Sequence, residues 1–67
     1  MKIKNEVLEI VRKSTRTRRD IARNLDLSDG SMVRILNHNE DNGPLTKAIC
    51  LKIIAINHGI PESLILD

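Results

Sequence analysis

The chain has 67 residues, a net charge of +2 and no phenylalanine, tyrosine or tryptophan. This length and composition predict one domain, residues 1–67. Its aliphatic core is close to the smallest that folds without disulfide bonds or a bound metal ion. A single cysteine, Cys50, excludes an internal disulfide and a metal site built from several cysteines. No run approaches the ~20 apolar residues that span a bilayer, and the start lacks the apolar segment of a signal peptide. We therefore expect a cytoplasmic protein without a membrane segment.

Positive charge is concentrated in the first half of the chain. Residues 1–37 hold nine Lys or Arg against five Asp or Glu, whereas residues 38–67 hold two against four. This asymmetry is typical of a surface that attracts phosphate, although a normally solvated surface explains it equally well. The basic residues concerned are Arg12, Lys13, Arg16, Arg18, Arg19, Arg23 and Arg34.

The first predicted element is a helix at residues 2–13, followed by a polar connector at 14–17. Apolar side chains recur along this helix at the spacing of one helix face, which predicts that the face is buried. The residues of this apolar stripe are Ile3, Val7, Ile10 and Val11.

Two short helices around a tight turn are predicted next, at 18–25 and 29–37. Thr17 is expected to cap the first, with Asp20 at the capping-box position, and Ser28 to cap the second. Ala22 is small enough for a close helix crossing, and Asp26 tolerates the left-handed backbone of a tight turn. The apolar residues expected to fix the angle between the helices are Ile21, Leu25, Leu27, Met32 and Ile35.

The stretch from Arg18 to Asn37 resembles the helix-turn-helix of the lambda-repressor/Cro family. A weaker similarity extends from Val7 to Leu66. Asp26 stands where a glycine is usual in the family's turn, and Arg18 stands where a glutamine is usual. The resemblance implies an all-α, five-helix, lambda-repressor-like DNA-binding domain. A helical hairpin within some other small bundle is the alternative.

The second half of the chain is also predicted to be helical. A loop at 38–44, rich in turn formers, precedes a helix at 45–57 that is apolar on nearly every side. The β-branched run at 49–56 would also suit a strand, but no second strand-like segment could pair with it. Gly59 is expected to end the helix, and Pro61 to lie near the first position of a short fifth helix reaching residue 66.

The sequence contains no recognisable catalytic constellation. His38 and His58 lack the spacing of metal ligands, and Cys50 on its apolar helix is expected to be a core residue. The three glycines are scattered, so no phosphate-binding loop is predicted. We expect neither an enzyme, nor a metal or other cofactor, nor a small-molecule effector.

The family resemblance implies that the second motif helix enters the major groove of double-stranded DNA, where side chains near its start meet base edges. It implies that Arg34 binds a guanine and that Val33 touches a thymine methyl group. It also implies phosphate contacts at the start of the first motif helix. The residues assigned to DNA contact are Thr17, Arg18, Ser28, Asp29, Gly30, Ser31, Val33, Arg34 and Asn37.

A sequence-specific transcriptional regulator is the preferred interpretation, and the resemblance points to a Cro-like repressor of phage or bacterial origin. One recognition helix contacts only a few base pairs, so we expect a homodimer on a palindromic operator. An antitoxin that regulates its own promoter, a protein-interaction module on the same fold and a winged-helix domain are the alternatives. The expected dimer contact comprises helix 45–57 together with Ile60, Leu64, Ile65 and Leu66.

Overall fold

Helices dominate the computed structural model, which describes residues 1–67 and contains no β-sheet. The four α-helices are α1 (Asn5–Lys13), α2 (Thr15–Leu25), α3 (Asp29–His38) and α4 (Ala48–His58). Two short 3₁₀ turns cover Pro44–Thr46 and Glu62–Leu64. The all-α prediction is confirmed, and the strand alternative for residues 49–56 is wrong, since they lie in α4.

The buried face of α1 differs from the predicted stripe by one residue. Val7, Leu8 and Val11 are buried, whereas Ile10 is 40% exposed. On a helix, Ile10 lies roughly 100° around from the centre of the face that these three residues form. The sequence-based assignment of Ile10 to the core is therefore wrong, and Leu8 takes its place.

The start of α2 is three residues earlier than the sequence predicts. Only Ser14 separates α1 from α2, and its hydroxyl accepts a hydrogen bond from the backbone N–H of Thr17 at 3.2 Å. Ser14 is thus the N-cap residue, because this bond satisfies one of the free donors at the helix start. The prediction that Thr17 caps this helix is wrong, and so is the capping-box role of Asp20.

The turn between α2 and α3 has the predicted geometry. Asp26 adopts the left-handed conformation, with φ 55° and ψ 52°, and the backbone N–H of Leu27 donates to the carbonyl of Ala22 at 2.8 Å. Ser28 caps α3, because its hydroxyl accepts from the N–H of Ser31 at 3.2 Å. The predicted span of α3 is therefore correct to within one residue.

The C-terminal part of the chain is less helical than predicted. The segment 44–46 is a 3₁₀ turn rather than the first turn of α4, and Gly59 ends α4 with a φ of 65°. The predicted fifth helix is only a 3₁₀ turn, because the residues after it pair with the start of the chain. An isolated antiparallel bridge joins Ile3 to Leu66, and the N–H of Lys4 donates to the carbonyl of Ile65 at 2.9 Å.

The core is aliphatic and is organised around α2, which packs against α1, α3 and α4. The five apolar residues expected to hold α2 and α3 together all lie in this core or pack against it. One face of α3 therefore points inward and its other face is exposed to solvent. None of the four α-helices has both the length and the hydrophobicity that a membrane span requires. The core residues are Ile3, Val7, Leu8, Val11, Ile21, Ala22, Met32, Leu36, Leu45, Cys50, Ile54 and Ile65.

Candidate nucleic-acid interface

Most of the predicted DNA-contacting residues lie on α3. Met32 and Leu36 are buried on the inner face of this helix. Because α-helical residues three, four and seven apart share a face, the opposite side presents one continuous stripe. We call this stripe the outer face of α3, and it consists of Gly30, Val33, Arg34 and Asn37, all of which are exposed.

The charged and amide side chains of α3 on and beside this face form no polar interaction within the chain. The side chains of Asp29, Arg34 and Asn37 make no hydrogen bond or ion pair with other residues. Val33 is 50% exposed although it is apolar. The outer face of α3 and its start therefore offer a guanidinium fork, an amide, a carboxylate and two methyl groups, all free to contact another molecule.

A cleft joins the start of α2 to the start of α3. It has a volume of about 310 Å³, and it is lined by Thr15, Arg18 and Arg19 of α2 and by Asp29, Met32 and Val33 of α3. The structure thus brings a predicted phosphate contact, Arg18, next to two residues of the predicted base-contacting set. One nitrogen of Arg18 donates to the hydroxyl of Thr15 at 3.2 Å, which leaves the other nitrogens of its fork free.

Thr15 is a site residue that the sequence-based interpretation missed. It lies in the first turn of α2 and lines the same cleft as Arg18. The error follows from the misplaced helix start, which assigned Thr15 to a connector. The sequence does show that Ser14 lies three residues before Thr17 and can accept from its backbone N–H, but Thr17 has the same ability to cap a helix.

The start of α3 has free backbone donors beside the cleft. The Ser28 hydroxyl is engaged with the Ser31 side chain at 3.1 Å as well as with its N–H. The N–H groups of Asp29 and Gly30 belong to the first turn and have no intrahelical acceptor, as at every helix start. These donors and the helix dipole favour an acceptor or an anion at this point, a preference that the Asp29 carboxylate partly satisfies.

The glycine in this first turn has no explanation within the chain. A Cβ atom at Gly30 would meet no other atom within 4 Å, and the backbone there does not need a positive φ. A glycine in a helix nevertheless costs roughly 0.5–1 kcal/mol relative to alanine. Close approach of an external molecule would account for a glycine at this exposed position.

Two arginines of the basic half have different surroundings. Arg34 is exposed and borders a small crevice that Glu40 also lines, but the two form no ion pair. Arg12 is engaged, since its guanidinium donates to the carbonyl of Leu36 at 3.1 Å and pairs with Glu9 at 3.5 Å. Arg12 therefore fastens the end of α3 to α1, and Arg34 is left available for an external partner.

The structure places Thr17 outside this surface. Its side chain is fully buried, and its hydroxyl lies 2.7 Å from Nε2 of His58 and 3.0 Å from the hydroxyl of Ser14. Asn57 donates to the same hydroxyl at 3.2 Å and to the Asp20 carboxylate at 3.0 Å. The expectation that Thr17 contacts phosphate is therefore wrong. Its hydroxyl instead ties α2 to the end of α4.

Replacing Thr17 with valine should lower the free energy of unfolding by about 1–3 kcal/mol, because it removes the hydroxyl that three partly buried polar groups share. The same change at Thr15, on the surface, is the matched control and should cost less than about 0.5 kcal/mol. Urea denaturation followed by circular dichroism measures both. Equal losses for the two variants would contradict a structural role for the Thr17 hydroxyl.

The remaining chemically reactive groups lie apart from this surface. Cys50 is fully buried, and burial raises the pKa of its thiol above the ordinary value, an effect that the nearby Lys47 ammonium offsets only in part. The thiol is therefore held in its neutral form, which is a poor nucleophile. No three His, Cys, Asp or Glu side chains come together in a way that could hold a metal ion.

Comparison of the chain with protein-family models, with curated protein sequences and with solved structures found no match. The outer face of α3 and the adjoining cleft are therefore the basis for an assignment of function.

Proposed function

We propose that the protein is a sequence-specific DNA-binding transcriptional regulator, in which α2, the Asp26 turn and α3 form a helix-turn-helix. The observation that carries the proposal is the outer face of α3, which is exposed and whose polar side chains form no hydrogen bond or ion pair within the chain. The major groove of B-DNA is wide enough to admit one α-helix, and its base edges present acceptors, donors and thymine methyl groups. The side chains on this face match those three kinds of group.

Each exposed residue has a distinct role in the proposal. Arg34 donates two hydrogen bonds to O6 and N7 of a guanine, and Val33 packs on a thymine methyl group. Asn37, one turn beyond Val33, contacts an adenine or a phosphate. Gly30 lets the start of α3 approach the groove floor closely, which accounts for a glycine that nothing within the chain requires. Asp29 accepts from a cytosine amino group.

The cleft beside α3 supports the proposal electrostatically. Arg18 and Arg19 line it, and they belong to the half of the chain with an excess of positive charge. When α3 lies in the groove, the start of α2 faces the phosphates that border it, so Arg18 is assigned to phosphate. This contact fixes the position of the protein on DNA, while the outer face of α3 selects the sequence.

The regulator is proposed to act as a cytoplasmic, Cro-like repressor that binds an approximately palindromic operator as a homodimer. One α3 spans only a few base pairs, too few to distinguish one site in a genome. Two copies related by a two-fold axis would place their recognition helices about 34 Å apart, one turn of DNA. The family resemblance of residues Arg18–Asn37 adds phage or bacterial origin to the proposal.

A protein-interaction module is the second candidate function. It is favoured by the Asp29 carboxylate at the start of α3, which phosphate would repel, and by the half-exposed Val33. An antitoxin that represses its own promoter would combine both functions on one fold.

Binding to genomic DNA fragments at several salt concentrations tests the proposal. A dimer with roughly six to ten phosphate contacts should lose about 10³–10⁵ in affinity between about 50 and 200 mM salt. One fragment should also be retained selectively over bulk DNA. Affinity that does not change with salt, or equal affinity for all fragments, would contradict a sequence-specific regulator and favour the interaction module.

A further inference from the structure

The helix α4 has a second apolar face that the core buries only in part. Cys50 and Ile54 are fully buried on its inner side. About 110° around the helix, Ile49, Ile53 and Ile56 follow one another at positions i, i+4 and i+7, and so form a single stripe. Ile53, in the middle of the stripe, is half-buried and packs against the core. Ile49 is 41% exposed and Ile56 is 74% exposed. We call this stripe the outer face of α4. Surface helices ordinarily carry polar residues at such positions.

The folded monomer does not need this face. The accessible surface of the chain is 4280 Å². A compact monomeric protein of 7.6 kDa is expected to have about 4,300 Å². The core is therefore complete without further burial, and Ile49 and Ile56 remain exposed after it has formed. Isoleucine also has a lower helix propensity than leucine, lysine or glutamate, so local helix formation does not explain the stripe.

The charges around the outer face of α4 identify what covers it. Lys52 lies on the exposed side within the stripe, four residues before Ile56, and Lys47 immediately precedes the helix. Beyond the end of α4, the exposed Glu62 begins the 3₁₀ turn that packs against this helix. Cationic groups thus precede Ile56 and an anionic group follows it. A surface arranged in this way is complementary to a copy of itself turned end for end.

We propose that α4 packs antiparallel against α4 of a second copy, across a two-fold axis that passes near Ile56. In this arrangement Ile56 meets its counterpart at the centre, and Lys52 of each copy faces the Glu62 end of the other. A parallel arrangement would bring the two Lys52 ammonium groups together, which is unfavourable. A two-fold contact uses the same patch on both copies, so each favourable pair occurs twice.

The same charges disfavour other occupants. Lys47 and Lys52 lie on one side of Ile56 and Glu62 on the other, so this face has no uniform charge that would favour DNA or an anionic membrane. The stripe is also short. A standard interface buries about 800 Å² on each partner, close to a fifth of this molecule's surface, and three isoleucines supply less than that. The dimer is therefore weak in solution and is reinforced when both copies bind one DNA site.

The contact itself is inferred from the surface of α4 alone. Its role on DNA rests on the proposed function, for which it provides the surface that joins two DNA-bound copies. It also revises the expected interface. Ile65 is fully buried and cannot take part, whereas Leu64 is 52% exposed at the same end of the molecule as Glu62.

Sedimentation equilibrium with interference optics, which needs no aromatic absorbance, measures the association directly. The wild-type protein should show a concentration-dependent dimer below about 1 mM. The Ile56→Glu variant should raise the dissociation constant at least about tenfold, because it places a carboxylate at the centre of the contact. Circular dichroism establishes that this variant is folded, as expected for a side chain exposed to this degree. A wild-type protein that remains monomeric, or an unchanged dissociation constant in the variant, would overturn the proposal.

Charge reversal tests the antiparallel register separately. Lys52→Glu and Glu62→Lys should each weaken association several-fold, and an equimolar mixture of the two variants should restore it, because each copy then faces an opposite charge. Only a contact between copies can be restored by mixing. Lys13→Glu, an exposed reversal on α1, is the control and should leave association unchanged. A mixture that associates no better than its components would exclude this register.

DNA binding distinguishes failure of this inference from failure of the proposed function. The Ile56→Glu variant should bind a single half-site with the affinity of the wild type, and should lose the joint binding of two half-sites. If the wild-type protein dimerises but binds no DNA, the α4 contact stands and the regulator proposal fails. If it binds a half-site as a monomer and two half-sites independently, the proposal of DNA binding stands and the α4 contact fails.

Discussion

Replacing Arg34 with alanine should weaken binding to the preferred DNA site by roughly 5- to 150-fold, equivalent to about 1–3 kcal/mol. Arg34 is exposed on the outer face of α3 and forms no ion pair within the chain, so its fork is free to bind a guanine. Binding to random DNA should change far less, because a base contact contributes little where the base is wrong. Fluorescence anisotropy with a labelled site and a scrambled duplex measures both affinities.

Arg18 provides the matched comparison. Its alanine variant should lose affinity about equally on the preferred site and on scrambled DNA, and should lower the salt slope by roughly one. Arg34→Lys, which keeps the charge but not the fork, should resemble Arg34→Ala on the preferred site. If Arg34→Ala weakens both duplexes to the same extent, Arg34 contacts phosphate, and sequence selection must come from Val33, Asn37 or Asp29.

Replacing Ile54 with alanine should lower the free energy of unfolding by about 2–5 kcal/mol. Ile54 is fully buried on the inner side of α4, where it packs into the core against α2. A domain of this length has a total stability of roughly 3–10 kcal/mol, so the variant should be largely unfolded at moderate temperature. Urea or thermal denaturation followed by far-ultraviolet circular dichroism measures the loss, since the chain has no aromatic fluorophore.

Ile10→Ala is the matched control for this prediction, because it removes the same atoms from a helix of the same domain. Ile10 is 40% exposed, and its loss should cost less than about 1 kcal/mol. The comparison also separates the two descriptions of α1, since the sequence pattern alone assigns Ile10 to the core. A large loss at Ile10 with a small loss at Ile54 would show that the buried faces of α1 and α4 are wrongly assigned.

The parts of the fold that local chemistry determines were predictable from the sequence. The span of α3 follows from one cap, Ser28, and from apolar residues at helical spacing, and both features are local. The left-handed turn at Asp26 is likewise a property of the residue and its neighbours. The exposed residues of the candidate site on α3 follow from this span, because helical geometry alone decides which of them point away from Met32 and Leu36.

The errors arose where distant contacts choose between equivalent local patterns. Ser14 and Thr17 are both able to cap a helix, and the choice depends on His58 and Asn57, which engage the Thr17 hydroxyl from about 40 positions further along the chain. A Ser or Thr hydroxyl can either cap a helix or join a buried hydrogen-bond network. Sequence spacing alone therefore cannot decide which of the two residues is the cap. Contacts from α4 therefore decide that Thr15, and not Thr17, lies in the candidate site.

The fifth helix failed for a similar reason. Residues 60–66 have the apolar content and the proline of a short helix, but the chain end pairs with the chain start instead. The carbonyl of Ile65 accepts from the N–H of Lys4, and the N–H of Asp67 donates to the carbonyl of Lys2. A helix this short is marginal on its own, and the competing partners are invisible in a local pattern.

The Ile3–Leu66 bridge has a consequence for folding kinetics. It joins residues more than 60 positions apart, and the loop between them must already be compact before its closure becomes favourable. We expect an interaction of this kind to form late, and therefore to act mainly on the rate of unfolding and to leave the rate of folding nearly unchanged. Asn39, the residue that ends α3, donates to the carbonyl of Ile3 at 2.9 Å in the same region. We therefore expect weakening of the Ile3–Leu66 bridge to shorten the lifetime of the native α3 end.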